Sequence, residues 1–257
     1  MRTRQPATLT RVAFVAALAV LGVLVALTLT RAIVRSGDSA SAQVDGTAIP
    51  VPREAKRIQE QFLNVVRSVS PAVVQIQTVQ GLGSGVVIDG DGDVVTNAHV
   101  VTGSRRFLVT LVGGANLTAR LLGVDREHDL AVIRVNGSAP RQASFADSSK
   151  VRPGDFAIAI GNPLGLRSSV TQGIVSSVDR KVSEGNGVTL SSTIQTSAEI
   201  NPGNSGGALV DLSGRVIGIP TLAATDPEIG GAAPGIGFAI PSNTVTSVAR
   251  RLVSSGG

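Results

Sequence analysis

The sequence predicts an all-β fold of two six-stranded barrels, preceded by an N-terminal transmembrane helix, and three observations lead there. Short runs of strand-forming residues recur between turn signals, six of them before about residue 146 and six after about residue 151. Their even spacing suits barrels and not a parallel sheet, which needs helical crossovers between its strands. Residues 12–30 stand apart as an uncharged run of nineteen residues, close to the roughly 20 that cross a bilayer.

Taken in order, the first eleven residues carry Arg2, Arg4 and Arg11, and Arg31 and Arg35 follow the apolar run. This bias favours a cytoplasmic N-terminus with the remainder outside. A cleaved signal peptide is the competing reading, since Ala40-Ser41-Ala42 has the small residues of a cleavage site. That site lies twelve residues past the run, with two arginines between, so a retained anchor is the reading adopted. Residues 1–35 are then stub and anchor, and 36–54, rich in Ser, Ala, Asp, Gly and Pro, a linker. Five of the 23 basic residues precede position 36, and the remaining 18 equal the 18 acidic ones. The high pI of about 10.9 therefore belongs to the membrane segment and gives no nucleic-acid signal. Cysteine is absent, and a domain of this size builds its core without disulfides.

The remaining stretch, 55–257, reads as one functional domain. A short helix places Ile58, Phe62, Val65 and Val66 on one side and stops at Ser70-Pro71. The first barrel, about 72–146, has strands at 73–77, 85–88, 94–96, 107–112, 119–124 and 130–135. Gly90-Asp91-Gly92-Asp93 has calcium-like composition but lacks the spacing of a calcium loop, and between two strands it reads as a hairpin turn. The second barrel, about 151–241, has strands at 155–160, 169–178, 187–196, 207–212, 216–221 and 237–240. A closing helix at 243–253 is capped by Ser242 or Asn243 and buries Val245, Val248 and Leu252. With six Phe and neither Trp nor Tyr, the cores must be filled by Val, Ile, Leu and Ala.

The chemistry concentrates in Asn201-Pro202-Gly203-Asn204-Ser205-Gly206-Gly207. Glycine admits backbone conformations closed to other residues and lets a second molecule approach. The N–H groups of Gly203 and Ser205 can point at one spot beside the serine hydroxyl, which is what acyl transfer needs: an attacking hydroxyl and fixed donors for the developing oxyanion. An ordinary surface turn would use the same residue types. Of the two histidines, His99 and His128, His99 lies in the apolar run 94–101 and can accept the hydroxyl proton. Asp129, which opens the strand-like run 129–135, can orient it. His128, the next residue back, would point the other way along an extended strand. A core histidine and a strand-end carboxylate are the bland readings of His99 and Asp129. The order His, Asp, Ser favours the functional one.

Here the sequence resembles the HtrA/Deg serine proteases of the chymotrypsin/trypsin-type fold. The motifs are Gly83-Ser84-Gly85-Val86-Val87-Ile88, Thr96-Asn97-Ala98-His99-Val100-Val101, His128-Asp129-Leu130-Ala131-Val132, Gly161-Asn162-Pro163-Leu164-Gly165, Ile194-Gln195-Thr196, Ile200-Asn201-Pro202-Gly203-Asn204-Ser205-Gly206-Gly207 and Gly235-Ile236-Gly237-Phe238-Ala239-Ile240-Pro241. They span roughly residues 60–255 in one order, a far stronger signal than any single motif. The resemblance implies a triad of His99, Asp129 and Ser205 in a cleft between the barrels. An oxyanion hole of the Gly203, Asn204 and Ser205 N–H groups goes with it, and no metal or organic cofactor is needed. It further implies peptide-bond hydrolysis on misfolded or signalling proteins outside the cytoplasm, as in protein quality control. A chaperone-like or peptide-binding module with weak or switched-off hydrolysis is the alternative. Family members form trimers through an N-terminal segment, often with aromatic residues. Phe62 is the one aromatic in the helix here, which weakens the homotrimer expectation. The family's PDZ domain commonly begins near position 257, so PDZ-based substrate capture is not expected of this sequence.

Six residues before Ser205 stands Glu199, at or near the base of the S1 pocket in chymotrypsin-like enzymes. A carboxylate there would attract Lys or Arg at P1. If instead Glu199 faces solvent, Ile200 and Pro220 wall an apolar pocket beside a substrate-pairing edge at Thr221, Leu222 and Ala223. The cost of an unpaired buried carboxylate favours the apolar pocket.

Overall fold

The computed structural model describes residues 51–79, 81–137, 140–162, 169–183, 189–201, 203–226 and 231–256. The apolar run 12–30, the cleavage-site candidate, most of the linker, Pro163-Leu164-Gly165 and Pro202 lie outside them. Among the described residues, no helix is long and apolar enough to cross a membrane.

Helix α1 (Arg53–Val69) is followed by a 3-10 turn, Ser70–Ala72, with Pro71 in its first turn. It starts inside the expected linker, since Arg53 and Glu54 are already helical. Its buried residues are Val65 and Val69, one turn apart, whereas Ile58 is 49% exposed, against expectation. Phe62, the one aromatic of the helix, meets Phe156 edge-on with ring centroids 6.0 Å apart.

The first barrel closes through β1 (Val73–Gln77), β2 (Leu82–Val87), β3 (Asp93–Thr96), β4 (Arg106–Thr110), β5 (Asn116–Asp125) and β6 (Leu130–Val135), in the spatial order β1-β2-β3-β6-β5-β4. The Asp-Gly stretch is the hairpin turn between β2 and β3, with Gly92 at φ 85. The expected strand 94–96 is β3, and past Thr96 the apolar run 94–101 forms a helical turn, α2 (Ala98–Val101). One prediction within this barrel needs correction. Asp129 does not open a strand: it closes the turn before β6 with φ 50, a left-handed conformation that ends strand geometry there.

The second barrel contains β7 (Phe156–Gly161), β8 (Ser169–Ser177), β11 (Ile194–Thr196), β12 (Ala208–Val210), β13 (Val216–Asp226) and β14 (Gly231–Pro241), in the order β11-β14-β13-β12-β7-β8. A small hairpin of β9 (Val182–Ser183) and β10 (Thr189–Leu190) sits outside the barrel order. The predicted strand 187–196 is thus split in two, with a bend at Ser191 and Ser192. Strands β13 and β14 run eleven residues each, longer than their apolar patterns suggest. Backbone ladder bonds such as those at Thr225↔Ala232 carry no side-chain requirement and leave no periodic trace.

Alternation of side chains sorts the core into three clusters. Val74, Ile76, Val94 and Ile133 fill the first barrel, and Ala157, Ala159, Leu209 and Ile217 the second. The opposite faces of the same strands, Val73, Val86, Leu130, Ile158, Ile160 and Ile240, meet between the barrels. Both terminal helices join this seam, through Val65 and Val69 and through Val245, Val248 and Leu252 of α3 (Ser242–Gly256). The expected caps bond to the inter-barrel connection: Ser242 Oγ donates to Ala146 O at 2.7 Å and Asn243 Oδ1 accepts from Ser148 N. Leu252 lies over Gly123, whose missing Cβ would come within 2.9 Å of it. Leu252→Ala is expected to lower stability by about 2–5 kcal/mol, read as an earlier urea midpoint.

Candidate active site

The site is assembled by three loops on the inter-barrel seam. His99 lies in the first turn of α2, and the preceding residues fasten that turn to Asp129: Asn97 Nδ2 and Ala98 N both donate to Asp129 O at 3.1 Å. The positive φ of Asp129 points its carbonyl and its carboxylate at the same segment. His99 N donates to Asp129 Oδ1 at 3.0 Å, and His99 Nδ1 lies 2.9 Å from Oδ2. The second barrel adds Thr221 Oγ1, which donates to Asp129 Oδ2 at 2.7 Å. The Asp129 side chain is 4% exposed and that of His99 41%. A buried carboxylate therefore holds the ring of a partly exposed imidazole through its Nδ1, an arrangement that a general base can use.

The turn carrying Asp129 is itself braced. Asp125 Oδ1 accepts from His128 N at 3.0 Å and meets His128 Nδ1 at 3.1 Å, while its other oxygen pairs with Arg251 of α3. Burial by itself would raise the Asp125 pKa. The His128 bonds and the Arg251 charge outweigh it and hold the carboxyl below its ordinary value. His128 thus belongs to a structural clamp and stays apart from the Asp129 carboxylate, as expected, although by way of a turn and not of strand alternation.

Ser205 sits in the turn 203–206, where Gly203 and Gly206 have φ 99 and 80. A Cβ on Gly206 would collide with Ser84 O and Thr96 Oγ1, so only glycine lets the loop press this closely on the first barrel. Ser205 Oγ donates to Thr221 O at 3.0 Å. One residue of β13 thereby touches both the serine hydroxyl and the Asp129 carboxylate.

Of the expected anion donors, Asn204 needs correction: its N–H donates to Asn201 O at 2.9 Å and is committed inside the loop. Glu199 is exposed, and Ile200 is buried at 6% exposure beside Gly237, within the core cluster of the second barrel. Pro220 is buried and its carbonyl accepts from Gly206 N at 3.0 Å. Leu222 and Ala223 lie on β13 opposite Phe238 and Gly237. Strand β12 pairs with β13 only at Gly218 and Val216, so among the described residues no strand covers the other edge of β13 beside them. Sequence reading missed the hydroxyl role of Thr221. It lies sixteen residues beyond Ser205 on another strand, a spacing that carries no local signal.

The sequence pattern described as "Trypsin-like peptidase domain" matches residues 83–219. The periplasmic pH-dependent serine endoprotease DegQ of Escherichia coli is 42% identical over 218 residues, covering 84% of this chain and 46% of DegQ. The serine protease Do-like HtrA of Bacillus subtilis is 40% identical over 222 residues, 75% of this chain and 49% of its own. The chain thus spans about half the length of these curated relatives. Among solved structures, the HtrA-type protease AlgW with a tripeptide superimposes with a TM-score of 0.68 at 39% identity, covering 76% of this chain and 64% of AlgW.

Proposed function

The chain belongs to the HtrA-type family of trypsin-like serine proteases, and from that premise we propose that it is a membrane-anchored endopeptidase cutting extracytoplasmic proteins. The observation that carries this reading is the Asp129 carboxylate, buried and bound at once by His99 Nδ1 and Thr221 Oγ1. Asp129 keeps the proton on Nδ1, leaving Nε2 to take the proton of Ser205 as its Oγ attacks the scissile carbonyl. The negative oxygen that develops is received by the Gly203 and Ser205 N–H groups. His99 then delivers the proton to the departing amine, and water repeats the sequence on the acyl-serine. The edge of β13 at Leu222 and Ala223, which no described strand covers, offers backbone groups for an extended substrate. Hydrolysis of casein by the full chain tests the reading. Ser205→Ala and His99→Ala are each expected to reduce the rate about 10⁴-fold while the melting temperature stays put. Binding of unfolded protein without any cleavage by the parent would favour a chaperone-like role.

The exposure of Glu199 and the burial of Ile200 against Gly237 support a small apolar S1 pocket. A peptide-library digest is expected to show cuts after Val, Ala, Leu or Ile, with Glu199→Ala leaving the profile nearly unchanged. Dominant cuts after Lys or Arg that vanish in that variant would reverse the assignment.

The uncharged run 12–30 and its flanking arginines support the anchor, and relatives named as periplasmic proteases support an extracytoplasmic domain. The full chain is expected to stay in membranes through a carbonate wash. Soluble protein beginning at Gln43 would mean that the segment is cleaved.

A further inference from the structure

Ser84 sits on β2 of the first barrel, fully buried between two glycines. Each of its polar atoms has a partner. Its N–H donates to Ser205 O at 3.0 Å, and its hydroxyl donates to Gly203 O at 2.5 Å while accepting from Asn162 N at 2.9 Å. Its carbonyl accepts from Thr96 Oγ1 at 2.7 Å. One residue of the first barrel therefore grips two carbonyls of a second-barrel loop. They are those of Gly203 and Ser205, whose N–H groups are the proposed anion donors.

We propose that Ser84 is a positioning residue for the oxyanion site, acting through the peptide plane between Gly203 and Asn204. That plane is rigid, and its two ends are fixed separately: the carbonyl by Ser84 Oγ and the N–H by Asn201 O at 2.9 Å. It lies between the two peptide units that supply the donor N–H groups, so its orientation sets where both of them aim. Gly203, at φ 99, has no side chain to resist rotation of the plane. Without the Ser84 hydroxyl, the Gly203 carbonyl and the Asn162 N–H lose their partner, and the carbonyl gains by turning toward any other donor. The flanking glycines make the grip possible. A Cβ on Gly83 would lie within 2.6 Å of Val100 and one on Gly85 within 2.5 Å of Val94, so bulkier neighbours would hold β2 off its partners.

The inference rests on the proteolytic reading above, and kinetics on the full chain separate the two. A fluorogenic peptide with Val at P1 reports kcat and KM, and a peptide boronic acid of the same sequence reports affinity for the tetrahedral adduct. Ser84→Ala is expected to lower kcat about 10- to 100-fold, less than outright loss of an oxyanion donor. KM should stay within about twofold, and boronate affinity should fall by the same factor as kcat. Ser84→Cys, which keeps the shape but donates weakly, should shift kcat and boronate affinity in the same direction, and serves if the alanine variant does not fold. A Ser84→Ala enzyme with unchanged kcat, or one whose kcat falls while boronate affinity holds, overturns the positioning role. An inactive parent chain would instead overturn the proteolytic reading and this inference with it.

Discussion

The left-handed turn at Asp129 is the constraint from which the rest of the site follows. A non-glycine residue at φ 50 bears a local cost of roughly 1–2 kcal/mol, and Asp is among the few residue types that adopt this conformation routinely. In return the carbonyl and the carboxylate face one segment, so that Asn97, Ala98 and His99 all bond to a single residue. An extended Asp129 would send its carbonyl and its side chain in divergent directions. The clamp of Asp125 with His128 and Arg251 fixes the approach to this turn and links it to α3.

Thr221 extends the constraint across the molecule. Its hydroxyl reaches Asp129 in the first barrel, while its carbonyl holds the Ser205 hydroxyl in the second. Such bonds gain strength in a dry seam, and the apolar layer between the barrels supplies the dryness. Strand β7 shows how: its alanines turn into the second barrel, and its isoleucines, Ile158 and Ile160, turn outward to the seam. The larger side chains of that strand thus serve the contact between barrels. Helices α1 and α3 complete the same layer.

The serine loop belongs to the second barrel by sequence and hydrogen-bonds to both, to Pro220 and Thr221 of its own barrel and to Ser84 of the first. Ser84 holds it from β2, and Gly206 lets it come close enough to be held. The site is consequently a property of the pair of barrels. The first barrel contributes His99 and Asp129, and the second Ser205 and Thr221.

The residues proposed to carry the chemistry were legible in the sequence because catalysis demands particular side chains in loops of particular composition. Two histidines, one glycine-rich serine loop and a following carboxylate left few combinations, and period-two runs with turn signals between them marked both barrels. What needed the tertiary structure were the relations between residues distant in the chain. The turn at Asp129 read as the start of a strand, because an apolar run says nothing about the φ of its first residue. Thr221 read as a substrate edge, because its second role depends on a strand from the other barrel. Asn204 read as a donor until its N–H was found bonded to Asn201. The lengths of β13 and β14 were hidden because backbone pairing asks nothing of the side chains. Local composition thus determined which groups are present and in which loops. Long-range hydrogen bonding and packing across the seam decided where each group points, since these depend on contacts between segments that no local stretch encodes.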